Sequence, residues 1–365
     1  MRRCWWLLLL AGLLLVPVAE ASSVPLAPSL QQALVQVQQQ LAAGQLAAAE
    51  ARLRPLLTAK PHPLVAFSRA QLALLQQQPG EALRWLEVGL RDDPDHVAAW
   101  LNRAQAHYQL EQFVAAAEAF EQSFRLQPDA PRWRYNAALC YLQAGQPRQA
   151  VRLLTGLLEA RSVPAPLEWH AALARALLEL QRPAAAIEPL RLLAEQAPAD
   201  EQRRWRELLL QQELALNRLQ PAREHLRRWL QQDFSDARWW RLQGQLQLRQ
   251  NDYRGALVSL QLAHWLEPGT GHERQLMADL CLQLGLPAEA ARRYRQLAEA
   301  VEAGEAGAVD ADAGFCWLQA GRAAWNARLW PQAEAALRRA CRYPPQLAEA
   351  ESLLAQLQPL LRAMP

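Results

Sequence analysis

The strongest constraint in this sequence is a set of residues that recurs with constant internal spacing. A bulky residue is followed by a small one, an alanine, a large apolar residue and then a proline, always at the same intervals. Three such sets are Trp100, Ala104, Ala116, Phe120, Pro128; Trp240, Gly244, Ala256, Leu260, Pro268; and Trp317, Gly321, Ala333, Leu337, Pro345. Small residues let two helices approach and large ones fill the gaps beside them. The spacing therefore predicts helix pairs built to one pattern.

The segments between these landmarks have the composition of helices. Leu, Ala, Gln, Glu and Arg dominate at helical spacing, and Gly, Pro, Asn or Asp interrupt them regularly. The sequence lacks alternating Val/Ile/Thr runs and Asn-Gly turns, which signal strands. With 365 residues, 51% of them hydrophobic, the chain can bury a large core. These features predict an all-α fold.

The stretch "RQNDYRGALVSL", residues 249–260, shows where the helical pattern breaks within one unit. Asn251 and Asp252 break the helical pattern, which resumes at once. A break this short is typical of two antiparallel helices joined by a turn. We expect Tyr253 to seat the turn, Ala256 to allow close contact and Leu260 to pack between helices.

These spacings resemble the tetratricopeptide repeat (TPR), a helix–turn–helix unit of 34 residues. The resemblance implies a right-handed α-solenoid, or superhelix, of about nine repeats with a C-terminal capping helix. The implied units are 30–63, 63–96, 97–130, 131–166, 167–202, 203–236, 237–270, 271–304 and 314–347. The remaining segments are a cleaved signal peptide (1–21), a short linker (22–29), a small, acidic insertion loop expected to project outward (305–313) and the capping helix (348–365). Repeats one to eight thus fill 30–304.

The N-terminal residues have the pattern of a secretory signal. Arg2 and Arg3 precede an apolar run from Cys4 to Val18, and a small-x-small site follows at residues 19–21. The run is too short for a comfortable membrane span. Twin-arginine export and lipoprotein anchoring are the alternatives, but the leucine run is very hydrophobic and Cys4 precedes the cleavage site by too far. The pattern predicts an exported, periplasmic protein whose mature chain has no transmembrane span.

No catalytic or metal-binding motif is present. The sequence contains no H-E-x-x-H, no G-x-S-x-G, no P-loop and no paired-cysteine metal knuckle. The seven histidines are scattered, with no two at i, i+4. We therefore expect no enzyme activity, no cofactor and no metal site.

Ligand contacts in the family that this chain resembles come from first helices, which line the concave groove. The corresponding positions of the third and fourth units are Asn102, Gln105, Tyr108, Gln109, Arg132, Tyr135, Asn136 and Gln143. Asn102 and Asn136 resemble the asparagines that some family members use to hold an extended peptide. A carboxamide can both donate and accept, so it suits a peptide backbone. Asparagine is nevertheless common at this position in such repeats.

A second candidate surface is basic. Ten arginines and five acids lie between Arg203 and Arg249. The groove positions in this region are Arg204, Arg238, Arg241, Gln245 and Arg249. Guanidinium forks there would suit a carboxylate, an acidic peptide or an anionic sugar, whereas a solvated arginine-rich face is the alternative. The net charge is only +3, so nucleic acid is not expected as a partner.

The tryptophans and cysteines are interpreted as structural residues, with two exceptions. A ring recurs once per unit near the start of the first helix, which indicates interhelical packing. Trp325 falls on the groove side and is a candidate contact. Cys140 and Cys281 take interior-type positions, whereas Cys316 and Cys341 lie at nearly equal heights on the two helices of the ninth unit. A Cys316–Cys341 disulfide and two buried free thiols both remain open.

Function in a fold of this kind comes from its binding surface. We expect a periplasmic scaffold or adaptor that binds a peptide segment or a partner protein of the cell envelope. Residues 238–268 and 273–294 resemble exported TPR proteins associated with TonB–ExbB–ExbD energy-transduction systems. A chaperone or assembly factor for exported clients, in cytochrome c maturation or in pilus or exopolysaccharide assembly, is the alternative, and a structural spacer is a third.

Overall fold

The computed structural model describes residues 24–160, 165–305 and 307–362, and the predicted signal peptide lies outside the described residues. The described part forms nineteen α-helices, one 3-10 turn (Arg54–Leu56) and no strand. The chain divides into two compact units, Met1–Leu209 and Leu210–Pro365.

The first unit contains ten complete helices and the start of an eleventh. They are α1 (Pro28–Ala42), α2 (Leu46–Leu53), α3 (Pro63–Leu75), α4 (Pro79–Asp92), α5 (Val97–Gln109), α6 (Phe113–Leu126), α7 (Pro131–Gln143), α8 (Pro147–Glu159), α9 (Leu167–Glu179), α10 (Pro183–Gln196) and α11 (Ala199–Ala215). The second unit holds the end of α11 and the rest: α12 (Leu219–Gln232), α13 (Ala237–Arg249), α14 (Tyr253–Leu266), α15 (Gly271–Gln283), α16 (Pro287–Glu302), α17 (Ala313–Asn326), α18 (Trp330–Ala340) and α19 (Pro344–Arg362). Helices adjacent in sequence pack together from α1 to α10 and from α12 to α19. The predicted all-α helix–turn–helix architecture is confirmed.

Every first helix of a pair ends in the same way. The residue after its C-cap has positive φ, and these residues are Gly44, Gln77, Glu111, Gly145, Gln181, Asn217, Asn251, Gly285 and Arg328. At Gly145 the backbone N–H donates to Leu142 O at 3.1 Å, and the next N–H, of Gln146, donates to Tyr141 O at 2.8 Å. This pair of bonds is the Schellman motif, which satisfies carbonyls that the helix end leaves without partners. The motif reverses the chain in each pair and fixes where the second helix begins.

Every second helix contributes a fully buried alanine to the core. These residues are Ala49, Ala82, Ala116, Ala150, Ala186, Ala222, Ala256, Ala290 and Ala333, each 0% exposed. Four residues later comes a large side chain with at most 3% exposure: Leu53, Leu86, Phe120, Leu154, Leu190, Leu226, Leu260, Tyr294 and Leu337. The small and large positions singled out in the sequence are therefore the contact between the paired helices.

Glycine on the first helix shows how closely two helices approach. A Cβ built on Gly244 would lie 2.9 Å from Leu260 Cγ, and one on Gly321 would lie 2.6 Å from Leu337 Cγ. Both distances are below ordinary contact, so a side chain at either position would displace its leucine. The predicted role of Leu260 between helices is confirmed.

The insertion before the ninth pair, which was expected to project outward, contacts the rest of the fold through Ala308 and Asp310. Ala308 is 0% exposed, and Asp310 accepts bonds from Gly271 N at 2.7 Å and His272 Nδ1 at 2.6 Å. These bonds, led by that from His272, lower the pKa of Asp310 to about 2. The insertion is thus anchored to the start of α15, because the first N–H groups of a helix need acceptors. The last helix, α19, packs on both α17 and α18.

Candidate functional site

Two unpaired carboxamides stand out among the predicted groove residues. Asn102 on α5 and Asn136 on α7 are half-buried and hold equivalent places in successive helix pairs. Among the described residues, neither side chain makes a hydrogen bond. The polar atoms of both side chains also remain accessible and are not buried without a partner. Both amides can therefore donate to and accept from a ligand.

The other predicted residues of α5 are partly committed to packing. Tyr108 meets Phe113 edge-on with 5.4 Å between ring centroids, and burial followed by the proximity of Cys140 raises its pKa. Gln109 Oε1 is buried and has no hydrogen-bond partner among the described residues. Gln105 is half-buried. The surface of α5 that carries Gln105 and Tyr108 therefore combines polar side chains with a packed aromatic ring.

Tyr135 is a packing residue where the sequence predicted a groove contact. It is 7% exposed and stacks on Trp169 with 6.1 Å between centroids. Burial, and secondarily Glu168, raises the pKa of its phenol. Neighbouring Arg132 is exposed and lies over the Trp133 ring at 4.0 Å, which makes a cation–π contact. Of these residues, Arg132 is the one a ligand can reach freely.

The predicted basic set is divided between the two compact units. Arg204 belongs to the first and lies 5.5 Å from the Trp205 ring centroid. Arg238, Gln245 and Arg249 are exposed on α13 in the second, and Arg238 Nε lies 4.0 Å from Asp236 Oδ1.

Arg241 is already neutralised within the fold, contrary to its expected role as an anion contact. Its guanidinium donates to Glu273 Oε2 and Glu267 Oε2, both at 2.9 Å, and to Glu267 O at 2.8 Å. These carboxylates come from the start of α15 and the loop before it. The bonds therefore join successive helix pairs, and Arg241 acts as a structural link.

Tryptophan is used for packing and for closing the starts of helices. The rings of Trp133, Trp169, Trp239 and Trp317 are at most 7% exposed. The half-exposed Trp100 and Trp240 each donate an indole N–H to the carbonyl six residues earlier, at 2.7 and 2.8 Å. The candidate contact Trp325 packs edge-on against Trp330 at 5.8 Å. These rings therefore take part in packing and in hydrogen bonds to the main chain.

Two histidines act as helix N-caps. His62 Nδ1 accepts from Leu64 N, and His96 Nδ1 accepts from Ala99 N, both at 3.2 Å. A ring nitrogen that accepts a hydrogen bond does so through its lone pair, so each cap uses Nδ1 as the acceptor. Burial lowers the pKa of His96 despite the opposing charge of Asp93.

The four cysteines of the described residues, Cys140, Cys281, Cys316 and Cys341, are free thiols, so the Cys316–Cys341 bridge is not formed. Cys316 is fully buried toward α15, and burial, with Asp312 next, raises its pKa to about 12. Cys341 is the C-cap of α18 and lies near Glu351 of the last helix. Equal heights on two helices did not bring the thiols together, because the side chains face different neighbours.

Two open clefts on the second compact unit include none of the predicted contact residues. The α14–α16 cleft has a volume of about 600 Å³, and the α12–α13 cleft has about 520 Å³. Each includes one large, mostly exposed ring, Trp265 (73%) in the former and Phe234 (74%) in the latter. An aromatic residue near the end of a second helix, where a solvated residue is expected, is the sequence signal that would have found them.

In the described ranges, no three His, Cys, Asp or Glu side chains come together as a metal site. Among the same residues, no helix combines the length and apolar character needed to cross a bilayer. What the described residues offer chemically is polar and aromatic binding surface.

The helix pairs, their shared turn and their buried alanines define an α-helical repeat protein. Family models for the tetratricopeptide repeat match residues 34–97 and 108–166. The chain therefore contains tetratricopeptide repeats in these two segments, as its spacing predicted. No curated protein matches the chain.

Several solved structures are similar at low sequence identity. YrrB, described as a TPR protein with an unusual peptide-binding site, is 16% identical with a TM-score of 0.39, covering 50% of this chain and 92% of its own. A tetratricopeptide repeat protein from Parabacteroides merdae is 16% identical with a TM-score of 0.41, covering 69% and 98%. The C-terminal part of a TPR repeat-containing protein from Cytophaga hutchinsonii is 10% identical with a TM-score of 0.48, covering 67% and 99%.

Proposed function

We propose that this protein is a non-enzymatic scaffold that binds an extended peptide segment of a partner along the first helices of its first compact unit. The observation that carries the proposal is the pair of unpaired, accessible carboxamides of Asn102 and Asn136. They recur 34 residues apart on α5 and α7, so they can engage successive parts of one backbone. A peptide unit offers the donor and the acceptor that each amide lacks.

Two half-buried rings at the end of the helix that carries Asn102 favour a bound backbone. Tyr108, on the same helix as Asn102, packs edge-on against Phe113, so this helix carries apolar as well as polar surface. A hydrogen bond is stronger where water is partly excluded. The chain therefore offers both elements of peptide recognition there, namely backbone hydrogen bonds and apolar support.

The proposal is tested by removing both amides. Replacing Asn102 and Asn136 by Ala should weaken partner binding roughly tenfold or more, since each lost hydrogen bond is worth about 0.5–1.5 kcal/mol. Thermal stability should hardly change. The matched control is Gln122→Ala with Gln149→Ala, which removes half-buried carboxamides from the second helices of the same pairs.

The partner is captured with a photo-crosslinking amino acid at Gln105, on the same helix as Asn102. One stoichiometric partner, lost in the double asparagine variant and kept in the glutamine control, supports the scaffold. A wide range of unfolded clients would instead identify a chaperone. Equal crosslinking in all three proteins would refute the groove proposal.

We further propose that the protein acts in the periplasm. The basic start, apolar run and small-x-small site of residues 1–21 support export. Cell fractionation and N-terminal sequencing test this proposal, and cleavage after Ala21 is the expected result. An uncleaved chain in the cytoplasmic fraction would overturn it.

A TonB–ExbB–ExbD system is the proposed setting of the scaffold. This proposal rests on the repeat sequence of residues 238–268 and 273–294. Affinity purification after in-vivo crosslinking should recover a component of that system. Recovery of another envelope partner without any component of that system would refute the TonB proposal but remain consistent with the scaffold proposal.

A further inference from the structure

The α14–α16 cleft is lined by basic side chains without a carboxylate. Its lining includes the arginines Arg274, Arg292 and Arg293, and no Asp or Glu. Carboxylates do hold these arginines, but they lie outside the lining. Arg274 Nη1 lies 3.3 Å from Glu305 Oε2, and Arg292 and Arg293 share Glu289. Three guanidinium groups thus face two carboxylates, which leaves a small excess of positive charge in this cleft of the second compact unit, separate from the predicted basic set.

The arginines are held in place and still have donors to offer. Arg293 Nε lies 2.9 Å from Glu289 Oε1, and its Nη2 donates to Gln261 Oε1 at 2.5 Å. Arg292 Nη2 donates to the same Glu289 at 2.7 Å, and its side chain remains 56% exposed. A guanidinium has five N–H donors, so most of those on Arg292 are unused by this contact. A positioned guanidinium loses little freedom when it binds a carboxylate.

A histidine adds a neutral donor to the same lining. His264 Nδ1 accepts from Gly269 N at 3.2 Å, which leaves the proton of the neutral ring on Nε2. Burial, followed by the charge of Arg274, lowers the pKa of His264. The ring therefore favours hydrogen-bond acceptors and adds no charge of its own.

The cleft also offers an exposed apolar surface. Trp265 is 73% exposed, whereas Met277, which also lines the cleft, is only 2% exposed. Tryptophan and arginine are the residues most enriched where protein interfaces bind tightly. An exposed indole beside guanidinium groups suits a ligand that carries an apolar ring next to negative charge.

We propose that the α14–α16 cleft binds an acidic peptide segment in which Asp or Glu residues flank an aromatic or large aliphatic side chain. The carboxylates pair with Arg292 and Arg274, and the apolar side chain packs on Trp265. Bidentate carboxylate–guanidinium bonds give this recognition both strength and direction. The site is separate from the one proposed on the first helices of the other compact unit, so either can fail without the other.

The test uses the full chain and a fluorescein-labelled peptide of Asp and Glu with one central Phe. Fluorescence anisotropy should show binding that weakens as salt is raised. Arg292→Gln should reduce affinity by roughly ten- to a hundredfold, because a hydrogen bond to a charged group is lost. Trp265→Ala should also weaken binding. Both side chains are mostly exposed, so both variants should fold.

The matched control is Arg295→Gln, which removes the same charge from the exposed face of α16 without touching the lining. It should change affinity by less than about twofold. Equal losses in Arg292→Gln and Arg295→Gln would overturn the site. Equal binding of a peptide in which Asn and Gln replace Asp and Glu would also overturn it, and so would full displacement of the peptide by inorganic phosphate. A protein that binds no peptide but forms a dimer, which Trp265→Ala dissociates, would show that the cleft is a self-association surface instead.

Discussion

The turn at Gly145 allows the backbone geometry of the repeat to be tested in isolation. Gly145 has φ of +69°, and a Cβ built there meets no atom within 4 Å. Gly145→Ala therefore adds no clash, and its effect comes from the backbone alone. A left-handed conformation costs an L-residue about 1–2 kcal/mol, and alanine recovers about 0.4–1 kcal/mol by restricting the unfolded chain. We expect a net loss of about 1 kcal/mol.

Two companion variants fix the sign of this effect. Gly80 lies in α4 and is equally unobstructed, but its φ is not positive. Gly80→Ala should therefore stabilise the helix, by up to about 1 kcal/mol. Glu111 has φ of +58° in the turn one unit before Gly145, so Glu111→Gly should also stabilise the protein.

The measurement is urea unfolding of the full chain, followed by circular dichroism. Gly145→Ala should lower the midpoint, and the two companion variants should raise it, at nearly constant slope. Hydrogen exchange at the amides of the Gly145 turn would show the loss locally. If the two glycine-to-alanine changes shifted the midpoint in the same direction, the left-handed requirement would be refuted.

Three further predictions concern other elements. Because the folded pKa of His96 is lowered, stability should fall as the pH drops from above about 6.5 through that pKa; His96→Asn keeps a capping acceptor and should flatten the slope of unfolding free energy against pH. Arg241→Gln leaves the mostly buried Glu273 carboxylate without its guanidinium, and should cost about 1–3 kcal/mol in chemical denaturation. Mass spectrometry of the exported, non-reduced protein should find Cys316 and Cys341 as separate alkylatable thiols, and a crosslinked peptide would contradict their separation in the structure.

The helix pairs could be predicted because their signals are local. A small residue, an alanine and a large apolar residue at fixed spacing suffice to identify the paired helices. Ala256 and Leu260 are buried as that pattern predicts. The place of each residue within the repeat depends on the local spacing along the chain, so it could be predicted from the sequence.

The roles of individual groove residues depend on partners from the next repeat. Tyr135 is covered by Trp169, and Arg241 bonds to Glu273, each more than thirty residues further along the chain. Assigning groove positions from the place of a residue within the repeat predicts that both are accessible, because this assignment does not include the side chains of the neighbouring helix pair. The α14–α16 cleft was missed for the same reason, since Trp265, Arg274 and Arg292 come from three different helices and line one cleft only when those helices pack.

The left-handed turn residues restrict how a gene for such a chain can change in length. From Gly44 to Gly285 they are spaced 33–36 residues apart, and the next interval, across the insertion, is 43. One residue added within a helix would rotate everything after it by about 100°, because the α-helix has 3.6 residues per turn. The buried alanine would then turn away from its partner helix. Gain or loss of one whole helix pair avoids this rotation. Smaller changes in length are tolerated between helix pairs, as residues 305–313 illustrate.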